Sequence, residues 1–135
     1  MKPVVLDASA LLAMFYGEPG VDEMRALFHR ATTADQPLLM TAVNWAEILY
    51  RIERRQGTAG LSAPRRLAAS GPLSVVPADK DLAELAAGYK AAGLLALADG
   101  FAAALAKLRK AELVTADTDF KAVEKEIEIT WLKNK

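Results

Sequence analysis

Short runs of β-branched residues and leucine alternate with amphipathic stretches along this chain, and that order constrains its fold more than any other feature. Val4-Val5-Leu6, Leu38-Leu39-Met40, Leu73 to Val76, Leu113-Val114-Thr115 and Ile127 to Trp131 read as strands. Between them the spacing predicts helices over Ala10 to Phe15, Val21 to Ala31, Ala42 to Gln56, Ser62 to Ser70, Asp79 to Ala92 and Ala98 to Lys110, with a short one over Asp119 to Glu124. In the third, Trp45, Ile48, Leu49 and Ile52 fall at i, i+3, i+4 and i+7, which marks one buried stripe. In the long helix after Gly93, Phe101, Leu105 and Leu108 share a face padded by alanines. Ser9 and Thr41 are the expected caps of the first and third helices, and Gly57 to Leu61 the longest expected loop. Such alternation implies a three-layer α/β/α fold: a mainly parallel sheet of about five strands, helices on both faces, and right-handed crossovers. No repeat, low-complexity tract or linker interrupts the 135 residues, so a single domain over 1–135 is expected.

Composition narrows the chemistry. Hydrophobic residues make up 53% of the chain and charged residues 25%, which excludes a disordered polypeptide. With no cysteine and one histidine, His29, there is no disulfide, no thiolate zinc site and no histidine-rich metal site. Any metal must be held almost wholly by oxygen, which favours Mg²⁺ or Mn²⁺. The 17 basic and 17 acidic residues balance, so no global field draws in a polyanion. Local basic clusters remain at Arg51, Arg54 and Arg55, with Arg65 and Arg66 further on, and at Lys107, Arg109 and Lys110. Each also reads as a solvated helix end, where cations are favoured. No stretch is apolar for long enough to span a bilayer or act as a signal peptide, and a cytoplasmic location with no membrane partner is expected.

Four acids stand just after expected strands or near helix starts: Asp7, Glu47, Asp99 and Asp117. In a parallel sheet those places converge on the ligand-binding edge. Each also has a plainer reading. Asp7 suits an Asx turn into the first helix. Glu47 pairs with Arg51 at i, i+4 on the face that also carries Asn44 and Arg54. Asp117 or Asp119 suits a helix cap. Asp99 is the exception: Leu94 to Ala98 precede it and Phe101 to Ala104 follow, so it is expected to be partly buried and to need relief from a cation or helix N–H groups. Trp45 and Trp131 are expected in the core and His29 at the surface, with Met14, Phe15 and Tyr16 an apolar cluster beside the Gly17–Pro19 turn.

Four segments taken in order resemble the PIN-domain ribonucleases, above all the VapC toxins of type II toxin–antitoxin systems. They are Val5-Leu6-Asp7-Ala8-Ser9-Ala10-Leu11-Leu12-Ala13, Thr41-Ala42-Val43-Asn44-Trp45-Ala46-Glu47, Leu97 to Ala106 around Asp99, and Leu113-Val114-Thr115-Ala116-Asp117-Thr118-Asp119-Phe120. The resemblance implies a PIN-like fold and a catalytic, metal-binding quartet of Asp7, Glu47, Asp99 and Asp117, with Asp119 as a possible addition. It further implies Ser9, Asn44 and Thr115 as supporting residues, Mg²⁺ or Mn²⁺ as cofactor, RNA as substrate, a VapB-type antitoxin partner and a homodimer. Relatives more often carry alanine at the position of Gly100, where glycine is expected to loosen the helix start. Arg51, Arg54 and Arg55, and the Lys107–Lys110 cluster, are candidates for the phosphates flanking the cleaved bond.

Other functions compete with this one: a PIN-type RNA-processing nuclease without an antitoxin, or a non-catalytic interaction module of the same fold. A receiver-like domain would need acids grouped at the first strand and an aspartate ending the third, where Val75-Val76-Pro77 stands. A haloacid-dehalogenase-type phosphatase would need a second aspartate at position 9, which is serine.

Overall fold

A computed structural model describes residues 1–133. Five short strands, β1 (Val4–Leu6), β2 (Leu38–Thr41), β3 (Leu73–Val76), β4 (Glu112–Thr115) and β5 (Ile129–Trp131), form one sheet in the order β3-β2-β1-β4-β5. Every pairing is parallel, so the expected mainly parallel sheet is wholly so. Register is set by side-chain alternation: Val4, Leu6, Leu38, Met40 and Val114 face one apolar layer, while Val5 and Leu113 face the other.

Among the described residues, six α-helices cover the two faces. α1 (Ala8–Tyr16), α2 (Val21–Thr33), α3 (Ala42–Gln56) and α4 (Ser62–Ser70) belong to the first layer, α5 (Lys80–Ala91) and α6 (Leu97–Arg109) to the second. Ile48 and Ile52 are fully buried and Trp45 and Leu49 pack at the margin, so the expected stripe of α3 faces the core. Trp131 likewise packs against the second layer without being fully buried. His29 is exposed, as expected. None of the described helices is long and apolar enough to cross a membrane.

Several local expectations are corrected. Ser9 does not cap α1; Asp7 does, accepting from the Ala10 N–H at 3.0 Å, so the helix starts two residues earlier. Thr41 caps α3 as expected. Thr58–Leu61 closes into a single 3₁₀ turn in place of an open loop, with Leu61 in the core. Thr118–Val123 is also 3₁₀. Leu108 is 51% exposed, because α6 is enclosed only as far as Ala106 and its whole last turn emerges into solvent.

Gly100 serves close packing. A Cβ there would lie 3.0 Å from the Ala86 carbonyl oxygen and 3.4 Å from its Cα, so the missing side chain lets α6 seat directly on the α5 backbone. Ala102, Ala103, Ala104 and Ala106, all essentially inaccessible, continue the small side chains through the enclosed part of the helix.

Candidate active site

The strand order decides where a site can form. From β1 the chain proceeds outward through β2 and β3, then returns to β1's other side with β4 and β5. The switch between β1 and β4 opens a crevice at the strands' carboxyl ends, where ligands bind in open α/β sheets. Asp7 follows β1 and Asp117 follows β4, so the switch brings together two residues far apart in sequence. Asp99 stands in the first turn of α6, which enters β4, and Glu47 in the second turn of α3, which leaves β2.

Asp7 is only 2% exposed. Thr115 Oγ1 donates to its Oδ2 at 2.6 Å, Ser9 Oγ lies 2.8 and 2.9 Å from its two oxygens, and the Ala10 N–H completes the set. Burial pushes the Asp7 carboxyl up to about 6, even though the bonds from Thr115, Ala10 and Ser9 favour the ionised form; the Asp117 charge adds to the rise. Ser9 and Thr115 also anchor the far wall: the Ala116 N–H donates to Ser9 Oγ at 3.0 Å and the Asp117 N–H to Thr115 Oγ1 at 2.9 Å. Two hydroxyls thus tie the end of β1 to the end of β4.

Asp99 is the electrostatic centre. Burial first, then the charges of Asp117, Asp7, Glu47 and Asp119 in that order, push its carboxyl up to about 7. One oxygen each from Asp99, Asp117 and Asp119 lie within 4.8 Å of one another. Asp119, the least secure residue in the sequence, is therefore inside the cluster. Its own N–H donates to Asp117 Oδ1 at 2.9 Å, so Asp117 caps the 3₁₀ turn and faces the other acids at once. Glu47, half-buried, is held by Arg51 Nη1 at 3.2 Å. The plain readings of Asp7, Glu47 and Asp117 are all present in the structure, and they coexist with convergence on Asp99.

Asn44 is where periodicity misled. Its helical spacing puts it with Glu47, Arg51 and Arg54 on the polar face, yet it is completely buried. Its Nδ2 donates to the Ala98 carbonyl at 3.1 Å and its Oδ1 accepts from Thr41 Oγ1, so it pins the start of α6 to the start of α3. The signal available in sequence was the Thr41–Asn44 capping pair; the covering helix was not legible.

The basic clusters separate. Arg51, Arg54 and Arg55 are exposed and begin one turn beyond Glu47. Lys107, Arg109 and Lys110 lie at the opposite end of α6 from Asp99, at least about 12 Å along the axis, and Lys107 pairs with Glu126 at 2.9 Å. The Lys107–Lys110 cluster thus stands at the far end of α6 from Asp99, with Lys107 engaged by Glu126.

Hard carboxylate oxygens without a sulfur or imidazole donor suit Mg²⁺ or Mn²⁺, and the Asp99 carboxyl, raised first by burial and then by its acidic neighbours, is one that such a cation would help to ionise. The arrangement can hold a divalent ion at a crevice open to an anionic substrate.

Comparison with known proteins agrees with the fold. Among solved structures, VapBC2 from Rickettsia felis, determined with a DNA fragment from its promoter, superposes with a TM-score of 0.75 at 15% identity, covering 96% of this chain and 98% of that one. DNA-bound VapBC from Salmonella typhimurium gives 0.74 at 19% identity over 96% and 98%. Mycobacterium tuberculosis VapC20, a toxin that cleaves the sarcin–ricin loop, gives 0.68 at 18% over 89% and 94%. At such identities the likeness is one of fold. No curated protein matches by sequence. The PIN domain family model matches residues 4–126, a span that takes in β1, the switch crevice and every acid in it. With the model covering nearly the whole chain and the sheet order bringing its acids to one edge, the protein belongs to the PIN domain family.

Proposed function

We propose that the protein is a metal-dependent endoribonuclease acting as the toxin of a type II toxin–antitoxin pair. The observation that carries this reading is the convergence of Asp99, Asp117 and Asp119 at the β1–β4 crevice, with Asp7 and Glu47 close enough to raise the Asp99 carboxyl further. Asp99, Asp117 and Asp119 would hold Mg²⁺ or Mn²⁺, with Glu47 and Asp7 completing the acidic site. A divalent ion in this position makes water easier to deprotonate and offsets charge developing on the phosphodiester.

The chain's own residues orient the site. Thr115 and Ser9 fix the Asp7 carboxylate between β1 and β4. Asn44 sets the height of Asp99 relative to Glu47. Arg51 holds Glu47 at the crevice margin and brings positive charge to the substrate side. Unpaired RNA is the substrate that fits a recessed acidic site, since its backbone can bend to reach the crevice. The partner reading, a VapB-type antitoxin and a homodimer, draws on the VapBC neighbours and on the resemblance in the four acid-bearing segments.

Incubation of the purified chain with single-stranded RNA and Mn²⁺ or Mg²⁺ should give endonucleolytic products. Asp99→Asn should lower the rate by about a hundredfold or more, and EDTA should abolish it. Cleavage that continues in EDTA refutes the mechanism. Expression in a bacterial host should arrest growth, and co-expression of a small adjacent antitoxin should relieve it. Light scattering of the chain alone should give the dimer mass. Calorimetry that detects no Mn²⁺ binding at millimolar concentration would favour a non-catalytic module.

A further inference from the structure

Beside the acid cluster, the ends of α1 and α3 build a second polar surface. Tyr16, Tyr50, Arg51, Arg54 and Arg55 line a shallow recess, with no carboxylate among them. The Arg55 guanidinium carbon lies 3.9 Å from the centroid of the Tyr16 ring, joining the C-terminal turns of the two helices. The Arg54 carbon lies 5.1 Å from the ring of Tyr50, one turn back on α3. Such stacking holds a guanidinium in place while its N–H groups remain able to donate. Neither Arg54 nor Arg55 forms an ion pair among the described residues. Tyr50 is 49% exposed.

Three cations and a half-exposed aromatic ring match a single strand of nucleic acid, which offers phosphates to arginine and unpaired bases to tyrosine. An acidic peptide would answer the charge but make no use of the exposed part of the Tyr50 ring. The recess adjoins the acid site through Arg51, which pairs with Glu47 at 3.2 Å, and Arg54 lies about 10 Å from Glu47 along the helix axis. With a net charge of zero, the protein carries this patch as a local feature.

We propose that this recess is a subsite for the unpaired RNA stretch flanking the cleaved phosphodiester. Arg54 and Arg55 hold its phosphates and Tyr50 stacks one of its bases. The assignment rests on the ribonuclease reading and adds Tyr50 and Tyr16 to it: Tyr50 touches the base, and Tyr16 is a positioning residue that holds Arg55.

The test is fluorescence anisotropy of the full chain with a labelled single-stranded oligoribonucleotide in EDTA, so that binding is read without cleavage. Tyr50→Ala should weaken binding roughly tenfold or more, as loss of one stacked base does. Tyr50→Phe keeps the ring and should bind as the unaltered chain does. A fully duplex RNA should be indifferent to Tyr50→Ala. Arg54→Ala and Arg55→Ala should each reduce the slope of log affinity against log salt by about 0.7, whereas Tyr50→Ala should not change it. Unchanged affinity in Tyr50→Ala, an equal loss for duplex RNA, or tighter binding of an acidic peptide than of RNA overturns the subsite. If the unaltered chain cleaves RNA with Mn²⁺ and Tyr50→Ala still binds normally, the subsite alone has failed. If the chain leaves RNA uncut while binding depends on Tyr50 and the arginines, the nuclease reading has failed and the recess stands as an RNA-binding surface.

Discussion

At the scale of single residues, the site holds two carboxyls that resist ionisation. A carboxyl whose pKa is raised on folding binds its proton more tightly in the native chain than in the unfolded one. Its penalty is therefore absent below about pH 4 and grows until the folded-state pKa is passed. For Asp7, at about 6 in place of 3.8, the difference amounts to about 3 kcal/mol by pH 7. For Asp99, which rises to about 7, the penalty has the same sign and is reduced by the solvent that screens the partly exposed group. The metal-free protein should thus lose thermal stability from pH 4 to pH 7.5 through these two groups. Melting curves in EDTA should show the slope, Asp99→Asn should reduce it to the part that Asp7 carries, and Mn²⁺ at pH 7.5 should raise the melting temperature. A flat profile in EDTA would show that the acids do not carry this cost. Asn44 makes a different prediction. Asn44→Ala takes a side-chain donor from the Ala98 carbonyl and a side-chain acceptor from the Thr41 hydroxyl, which keeps its cap bond from the N–H of residue 44, at a cost of about 1–3 kcal/mol in urea unfolding. The variant should also bind Mn²⁺ more weakly, because nothing else on α3 hydrogen-bonds the start of α6 among the described residues. Helical spacing alone placed Asn44 with exposed residues. Spacing states which residues share a face, but not which neighbouring helix covers part of it.

At the scale of elements, the lengths and order of strands and helices follow from local chemistry, and so they were largely readable. Thr41 before α3, Asp79 before α5 and Gly17 after α1 close their helices where the side chains and the left-handed glycine dictate. The start of α1 was displaced because Asp7 and Ser9 are both competent caps, and tertiary bonding from Thr115 keeps Ser9 inside the helix beside Asp7. Packing between elements was less readable. Gly100 reads as a weak point in a helix, yet it is the contact that lets α6 lie against Ala86. Gly100→Val should therefore destabilise the protein by about 1–3 kcal/mol despite valine's better helix propensity, because the Ala86 backbone cannot yield as a side chain would. Mn²⁺ affinity should fall with it, since the displaced turn carries Asp99. Denaturant titration and calorimetry on the same variant check both outcomes. A more stable variant would mean that α5 moves freely.

At the scale of the whole molecule, two apolar layers share one thin sheet. Trp45 packs against the first layer and Trp131 against the second. If residues 1–135 form one cooperative domain, tryptophan fluorescence and far-UV circular dichroism should give coincident denaturant midpoints within each single-tryptophan variant, Trp45→Phe and Trp131→Phe. Probe-dependent midpoints within one variant would show that the two layers unfold independently. The chain by itself determined the alternation of strands and helices, most of the caps, and the residue types available to a metal, because those depend on local propensity, side-chain period and composition. Tertiary structure alone decided which of those residues meet. The order β3-β2-β1-β4-β5 sets Asp7 beside Thr115 across more than a hundred residues and brings Asp119 in with Asp99 and Asp117. It also carries Lys107 to Lys110 away from the acids and stacks Arg55 on Tyr16. Those proximities come from strand pairing and helix packing over the entire chain, and no local stretch of sequence contains them.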